Sequence, residues 1–242
     1  MSHFDLDKRR WLFCMTHPDD EISICAWIRR LTTNGNEVYL SWTHSIPVRE
    51  AESRKVADLL GVPQENLFFH SATDGKVSLE FPSLLPRFRS MIESISPDAI
   101  ACGAFEQGHP DHDTTNVLVN SVFEGDVLEI PFYHTYATKL QQMNSFSDPT
   151  GQSMLPLTPD EAKLKRLVAK QFKSQNIWKV LFWFEIWQGL TGRRSNLSSR
   201  EIMRHQGHKV FRIPNHPPGL LKRVEQCETW RTWCEHVLPH LR

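Results

Sequence analysis

The sequence predicts an α/β fold with a Rossmann-like, doubly wound and mostly parallel sheet, followed by a C-terminal helical or irregular extension. Short apolar runs typical of strands alternate with segments of helical spacing through the first half of the chain. The 242 residues suffice for one α/β domain. Two motifs rich in histidine and aspartate each follow an apolar run, and ligands of such sheets bind beyond the carboxyl ends of the strands. We therefore expect both motifs at one edge of the sheet.

The predicted strands cover residues 11–15, 38–43, 67–70 and 99–103. Helical spacing follows them, for example between Ile22 and Leu31 and between Ala51 and Gly61. Alternating strands and helices indicate a parallel sheet with helices on both faces. We expect a single domain over residues 1–242, with a core at about 10–175 and the extension at about 176–242.

The composition restricts the partners. Lys plus Arg equals Asp plus Glu at 28 each, so no overall field recruits nucleic acid or anionic lipid. The five cysteines are odd in number and contain no C-x-x-C pair, which favours a reduced compartment. The apolar run at 11–15 is too short for a signal sequence. We expect a cytoplasmic protein that does not bind nucleic acid, and a homo-oligomer stays open.

The second half has a polar segment, two helical patterns and no recognisable repeat. Residues 139–159 are predicted as a long loop or lid, and residues 159–175 as a helix capped by Thr158. Residues 177–190 are the most apolar stretch of the chain but fall short of the roughly 20 residues that a membrane span needs. We therefore expect no transmembrane segment, while peripheral membrane contact through this stretch stays open.

The first motif, His-Pro-Asp-Asp-Glu, occupies residues 17–21 at the end of the first predicted strand. Its carboxylates stand at the start of a helix, where the helix dipole favours them. His17 and Asp20 are three residues apart and can aim at one point, which leaves Asp19 facing another. We predict His17 and Asp20 as metal ligands and Asp19 as a general base.

The second motif, His-Pro-Asp-His, occupies residues 109–112 after the fourth predicted strand. His112 supplies a second imidazole, and two histidines with one carboxylate leave a coordination position open for chemistry. We predict zinc, although ferrous iron or cobalt could replace it. We assign His109 to stabilising an oxyanion, with Asp111 fixing its ring and favouring its charged form.

Either motif alone is often an ordinary proline turn, and only their pairing at two strand ends of one α/β domain favours a metal site. His44 and His134 also follow apolar runs that can end at this edge, so both are candidates for lining the pocket. The other histidines are expected to be structural or exposed.

The paired motifs resemble those of the LmbE-like, or PIG-L, de-N-acetylase superfamily, which includes N-acetylglucosaminyl deacetylases of phosphatidylinositol-anchor, mycothiol and bacillithiol biosynthesis. Thr43 at a strand end, Arg49-x-x-Glu52 and the Phe-Lys-Ser-Gln sequence at 172–175 extend the resemblance over about residues 10–175. Residues 43–46 depart from the family's Thr-x-Gly-Glu loop, and nothing beyond residue 175, including the basic pair at 193–194, matches it.

The resemblance implies a zinc-dependent hydrolase that removes an acyl group, typically acetyl, from the amide nitrogen of an N-acylated sugar or glycoconjugate. For the two motifs it implies the same roles that their residues predict. These are zinc ligation by His17, Asp20 and His112, a base at Asp19 and oxyanion stabilisation by His109. It also implies that Arg49 and Asp74, which Gly75 follows, contact sugar hydroxyls. We add His44 to the candidate substrate-binding residues.

Two other classes of function stay open. A site of two histidines and one carboxylate also serves non-haem iron oxygenases, although these usually use H-x-D spacing on a β-barrel. A membrane-associated or partner-binding protein with an inert metal site could instead use the tryptophan-rich stretch at 177–190.

Overall fold

The computed structural model describes residues 3–7, 9–132, 144–191 and 197–241. Within these ranges a seven-stranded sheet has the order β3-β2-β1-β4-β5-β7-β6. The strands are β1 (Arg10–Met15), β2 (Glu37–His44), β3 (Leu67–Ala72), β4 (Ala99–Gly103), β5 (Val127–Ile130), β6 (Ser153–Pro156) and β7 (Arg200–His205). The first five are parallel, whereas β7 runs antiparallel to both β5 and β6. The predicted mostly parallel α/β sheet is confirmed.

The described residues form eight α-helices. They are α1 (Cys25–Thr33), α2 (Pro47–Leu60), α3 (Phe81–Ile95), α4 (Pro110–Val122), α5 (Pro159–Ala169), α6 (Ile177–Leu190), α7 (Pro218–Gln226) and α8 (Glu228–Val237). Because side chains alternate along a strand, Trp11 and Phe13 pack in one buried cluster with α1, α2, α5 and α6. Leu12 and Cys14 pack in the other with α3, α4, α7 and α8. The helices therefore cover both faces of the sheet.

The strand order reverses between β1 and β4, which are neighbours although they are the first and fourth strands of the chain. Ligands of doubly wound sheets bind in the crevice beyond the carboxyl ends of the strands at this kind of switch point. The two histidine-rich motifs directly follow β1 and β4. The topology thus brings them together, as their order in the sequence predicts.

Several boundaries differ from the sequence-based expectation. Helix α5 is capped by Thr158 as predicted, in a capping box with Glu161, but it ends at Ala169 rather than at residue 175. Beyond this helix, Ser174 is held by Glu52 of α2, whose carboxylate accepts its backbone N–H and its hydroxyl at 2.9 and 2.7 Å. The predicted loop at 139–159 contains β6 in its described part. Residues His134, Arg193 and Arg194 lie outside the described residues.

The C-terminal part contributes to the sheet as well as to its covering helices. Strand β7 lies between β5 and β6, and α7 and α8 pack on the cluster formed by α3 and α4. Across the described ranges, no helix is long and apolar enough to cross a membrane.

Candidate metal centre and active site

Three predicted ligands converge at the switch point. Nδ1 of His17 lies 3.0 Å from Nε2 of His112, and Oδ1 of Asp20 lies 3.6 Å from the same nitrogen. One ligand atom from each residue falls within 4.8 Å of the others. Tetrahedral zinc with ligand bonds of ~2.0–2.2 Å separates its ligand atoms by roughly 3.3–3.6 Å. The donor set and its spacing therefore fit one divalent metal.

The backbone fixes the orientation of Asp20. Its Oδ2 accepts the backbone N–H groups of Thr16 and His17 at 2.8 and 2.9 Å, which leaves Oδ1 directed at His112. Asp20 and His112 are both buried, and the ring of Phe132 packs edge-on against the His112 ring. These contacts restrict the positions of the Asp20 carboxylate and the His112 ring.

The other side of the His17 ring faces two carboxylates. Nε2 of His17 lies 3.3 Å from Asp74 and 3.4 Å from Asp111. Burial lowers the pKa of His17, but the Asp111 and Asp74 carboxylates, together with the charges of Asp20 and Asp19, raise that pKa to about 10. Carboxylates behind a ligating histidine fix its tautomer and raise its basicity. Asp74 and Asp111 thus orient His17 with Nδ1 toward His112.

The structure differs from the expectation that the Asp111 carboxyl group fixes the His109 ring. The buried Asp111 carboxylate accepts backbone N–H groups from Gly75 at 2.7 Å and Val77 at 3.2 Å. It is the backbone N–H of Asp111 that holds the His109 ring, through a 3.2 Å bond to Nδ1. The expected role of the Asp111 carboxyl group in fixing that ring is therefore filled by its backbone.

His109 lies at the start of α4, with its ring centroid 5.3 Å from that of His17. Burial lowers the pKa of His109 despite the nearby Asp111 carboxylate, so the neutral ring is favoured and not the charged ring that the sequence predicted. His109, His17 and Asp111 form a second group of potential ligand atoms. Because it shares His17 with the first group, both describe one centre.

Asp19 stands beside the ligands without belonging to either group. Its φ of 121° is rare for a residue with a side chain and costs on the order of 1–3 kcal/mol. Its backbone N–H donates to Oε2 of Glu21 at 2.8 Å, and Oε1 of Glu21 accepts the Ser53 hydroxyl at 2.7 Å. Burial and the adjacent Asp20 raise the pKa of Asp19 well above its usual value.

Gln175 links Asp19 to Arg49. In the amide orientation that satisfies both neighbours, the Gln175 nitrogen donates to Oδ2 of Asp19 and its oxygen accepts from Nη1 of Arg49 at 2.7 Å. Arg49 also lies 3.6 Å from Asp74, so both residues expected to contact sugar hydroxyls meet beside the centre. The residue patterns predict no role for Gln175, and the Ser-Gln pair within the family resemblance is the only signal in the sequence that points to it.

His44 is buried close to the candidate metal centre, with its ring next to that of His17. Its ring is 4% exposed, its Nδ1 donates to the Ala72 carbonyl at 2.7 Å, and its centroid lies 5.7 Å from that of His17. The structure therefore places His44 beside the His17 ring, and direct contact between His44 and a substrate stays a prediction.

The pocket at the centre is small and adjoins an apolar cavity. About 20 Å³ is accessible beside Asp19 and Asp20, under Ile177 and Leu181 of α6. A neighbouring cavity of about 290 Å³ shares Leu181 with this pocket and lies between α5 and α6. Helix α6 therefore lines both spaces.

The fold and the site define an α/β protein with a candidate metal centre at its topological switch point. Residues 12–123 match the family model "PIG-L: GlcNAc-PI de-N-acetylase", and this segment contains both motifs. Residues 12–123 thus match the PIG-L, or LmbE-like, family model, as the motifs predicted. No curated protein matches the chain in a sequence comparison.

Several solved structures are similar in fold. A triple mutant of a deacetylase involved in the teicoplanin biosynthetic pathway has a TM-score of 0.58 and 14% identity, covering 81% of this chain and 97% of its own. The N,N'-diacetylchitobiose deacetylase from Pyrococcus horikoshii gives 0.51 and 18%, covering 84% and 87%. The 4-carboxy-2-hydroxymuconate hydratase from Pseudomonas putida gives 0.56 and 11%, covering 83% and 98%. Because the hydratase shares the fold, the fold alone does not decide the reaction.

Proposed function

We propose that this protein is a divalent-metal-dependent hydrolase that removes an acyl group, acetyl in the simplest case, from the amide nitrogen of an amino-sugar-like substrate. The observation that carries the proposal is the convergence of His17, Asp20 and His112 beside the unligated Asp19. The PIG-L family match and the two deacetylases of similar fold support it. A zinc ion at this site would polarise the amide carbonyl and lower the pKa of a water molecule.

Asp19 is the proton carrier in this proposal. Its carboxylate takes a proton from the attacking water and delivers it to the leaving amine. The Gln175 amide and the bond from the Asp19 N–H to Glu21 restrict the positions that this carboxylate can adopt. Asp20 cannot fill the same role, because both of its oxygens are directed elsewhere.

His109 stabilises the oxyanion as a neutral donor. Its Nδ1 accepts the backbone N–H of Asp111, so the proton of the neutral ring is on Nε2. An N–H directed at the developing negative charge lowers the barrier without requiring an imidazolium. The lowered pKa of His109 is therefore compatible with the role that the sequence assigned to it.

Arg49 and Asp74 are placed to bind the sugar. Asp74 is half exposed and Arg49 lies beside it, so a hydroxyl group could accept from the guanidinium and donate to the carboxylate. This pair suits a polyhydroxylated substrate, and it supports the interpretation of the substrate as an amino sugar or glycoconjugate.

Elemental analysis combined with a deacetylation screen tests the proposal. The purified protein should contain about one zinc per chain and release acetate from N-acetylglucosamine or diacetylchitobiose. His112→Ala should lose metal and activity, whereas the control His205→Ala should keep both. His205 is exposed and pairs with Leu128 near the start of β5, away from the site.

Three results would contradict the proposal. Stoichiometric metal in His112→Ala would remove His112 from the ligand set. Full activity after metal removal would refute metal dependence. Stoichiometric iron, with no hydrolysis of any N-acyl sugar by the metal-loaded protein, would favour the oxygenase alternative.

A further inference from the structure

The outer face of α6 exposes large apolar side chains. We call this surface the α6 face. Its exposed fractions are 47% for Phe182, 67% for Trp183, 63% for Trp187 and 78% for Leu190. The inner side of the helix packs on the core through Leu181. An apolar surface of this kind usually marks an interaction site rather than ordinary solvent exposure.

The chain around this surface is strongly basic. Residues 162–184, which lie between Glu161 and Glu185, contain six lysines and arginines and no aspartate or glutamate, although the whole chain has zero net charge. One of the six, Lys165, is buried and lies 3.0 Å from Glu201. The other five are exposed: Lys163, Arg166, Lys170, Lys173 and Lys179. Of these five, Lys179 belongs to α6 itself, four residues before Trp183, and Arg166 lines the same cavity as Phe182, so positive charge adjoins the α6 face.

We propose that the α6 face docks this protein on the surface of an anionic lipid bilayer. Tryptophans at the level of the headgroups combined with lysines facing anionic lipid are the elements of interfacial binding. With 14 residues, α6 is too short to span a bilayer, so it would lie along the surface. A second copy of the chain is a poorer occupant, because it would bring the same cations against each other.

Docking would place the candidate active site next to the membrane. Ile177 and Leu181 of α6 line the pocket that contains Asp19 and Asp20. The helix that contacts the lipid would thus also form one wall of the site. The inference itself does not depend on the proposed hydrolase activity, because it rests on the surface of α6 and on charge.

Co-sedimentation with vesicles tests the inference on the full-length, metal-loaded protein. We expect it to sediment with vesicles of phosphatidylcholine and phosphatidylglycerol, to bind phosphatidylcholine alone more weakly, and to be released by salt, which screens the attraction. The double variant Trp183→Gln/Trp187→Gln should lose most binding to both vesicles. Lys170→Gln/Lys179→Gln should lower the partition coefficient on anionic vesicles about fivefold per lysine, with little effect on neutral ones.

Val210→Gln is the matched control. Val210 is 55% exposed, stands next to Lys209 and close to Arg212, and belongs to a surface on the opposite face of the sheet. The substitution therefore removes an exposed apolar side chain from a basic surface outside the α6 face. The Val210→Gln variant should bind vesicles as strongly as the wild type does. Circular dichroism and thermal unfolding verify that each variant is folded.

The inference is wrong if the wild-type protein stays in the supernatant with anionic vesicles. It is also wrong if the tryptophan and lysine variants bind as well as the wild type, or if Val210→Gln loses as much binding as they do. Sedimentation equilibrium tests the alternative of a dimer. If the wild type forms a dimer that does not bind vesicles, and the tryptophan substitutions dissociate it, the α6 face binds a second copy of the chain instead.

Discussion

The carboxylate of Asp111 lies 3.4 Å from Nε2 of His17, on the side of the ring opposite the nitrogen that faces His112. Asp111 is buried, and two backbone N–H groups from the segment after β3 fix its position. The candidate centre thus has an outer layer of carboxylates that orients its first histidine.

The first prediction concerns this outer layer. Asp111→Asn should weaken zinc binding by about 10–100-fold, because an amide orients a ligating histidine less strongly than a carboxylate does. Competition with a chromogenic chelator measures the loss. Asp113→Asn is the control, since Asp113 is a buried carboxylate of the same helix whose Oδ1 accepts from Gln107 instead. Equal zinc affinities in Asp111→Asn and the wild type would refute the orienting role.

The second prediction separates the two adjacent carboxylates of the first motif. Asp19→Asn should keep its metal while kcat falls by about 10²–10⁴-fold, the usual loss for a general acid–base. Asp20→Asn should instead weaken metal binding, because Oδ1 of Asp20 faces His112. Elemental analysis and kinetics on the best substrate found measure both. If Asp19→Asn loses its metal and Asp20→Asn keeps it, the two roles are reversed.

The third prediction concerns substrate recognition by Arg49. Arg49→Ala should mainly raise KM, because it removes hydrogen bonds to sugar hydroxyls that are formed before the reaction. Arg54→Ala is the control on the same helix, where the guanidinium lies over the Phe69 ring and contacts Gln64. A fall in kcat with unchanged KM would instead indicate that Arg49 acts through Gln175 on Asp19.

The sequence predicts the first four strands and the candidate metal site better than it predicts the C-terminal part of the sheet. Local patterns predict the four strands of the first half. Because the carboxyl ends of parallel strands lie at one edge of the sheet, these patterns also predict that residues 17–21 and 109–112 converge. Spacing of three residues likewise predicts that His17 and Asp20 approach each other. These features depend on short stretches of sequence.

Features that depend on distant contacts could not be predicted in this way. Strand β7 contains the buried Glu201 and Arg204, whose charges conceal the strand pattern. Glu201 is satisfied by the backbone N–H groups of Ala26 and Trp27, some 175 residues earlier. The partners of the Asp111 carboxylate are also non-local, because it accepts from Gly75 and Val77 after β3, 36 and 34 residues earlier, rather than holding the neighbouring His109. Only the assembled fold provides these partners.

The last prediction concerns the pH dependence of stability. His70 of β3 is 5% exposed and stacks on Phe88 with a centroid distance of 4.5 Å. Burial, helped by the nearby Arg87, lowers the pKa of His70 to about 4, whereas an unfolded chain titrates near 6.5. Between these values the unfolded state binds more protons, so the free energy of unfolding must fall as the pH decreases.

A shift of this size removes about 3 kcal/mol of stability between about pH 6.5 and pH 4. His70→Phe keeps a stacked ring that cannot titrate, so its free energy of unfolding should decline less over this range, while near pH 7.5 it should differ from the wild type by less than about 1.5 kcal/mol. Urea unfolding at several pH values measures the difference between the two proteins. Because the metal centre is common to both, that difference isolates His70. The exposed His240→Phe should retain the wild-type slope, and parallel curves for His70→Phe and the wild type would show that His70 is not held neutral by the fold.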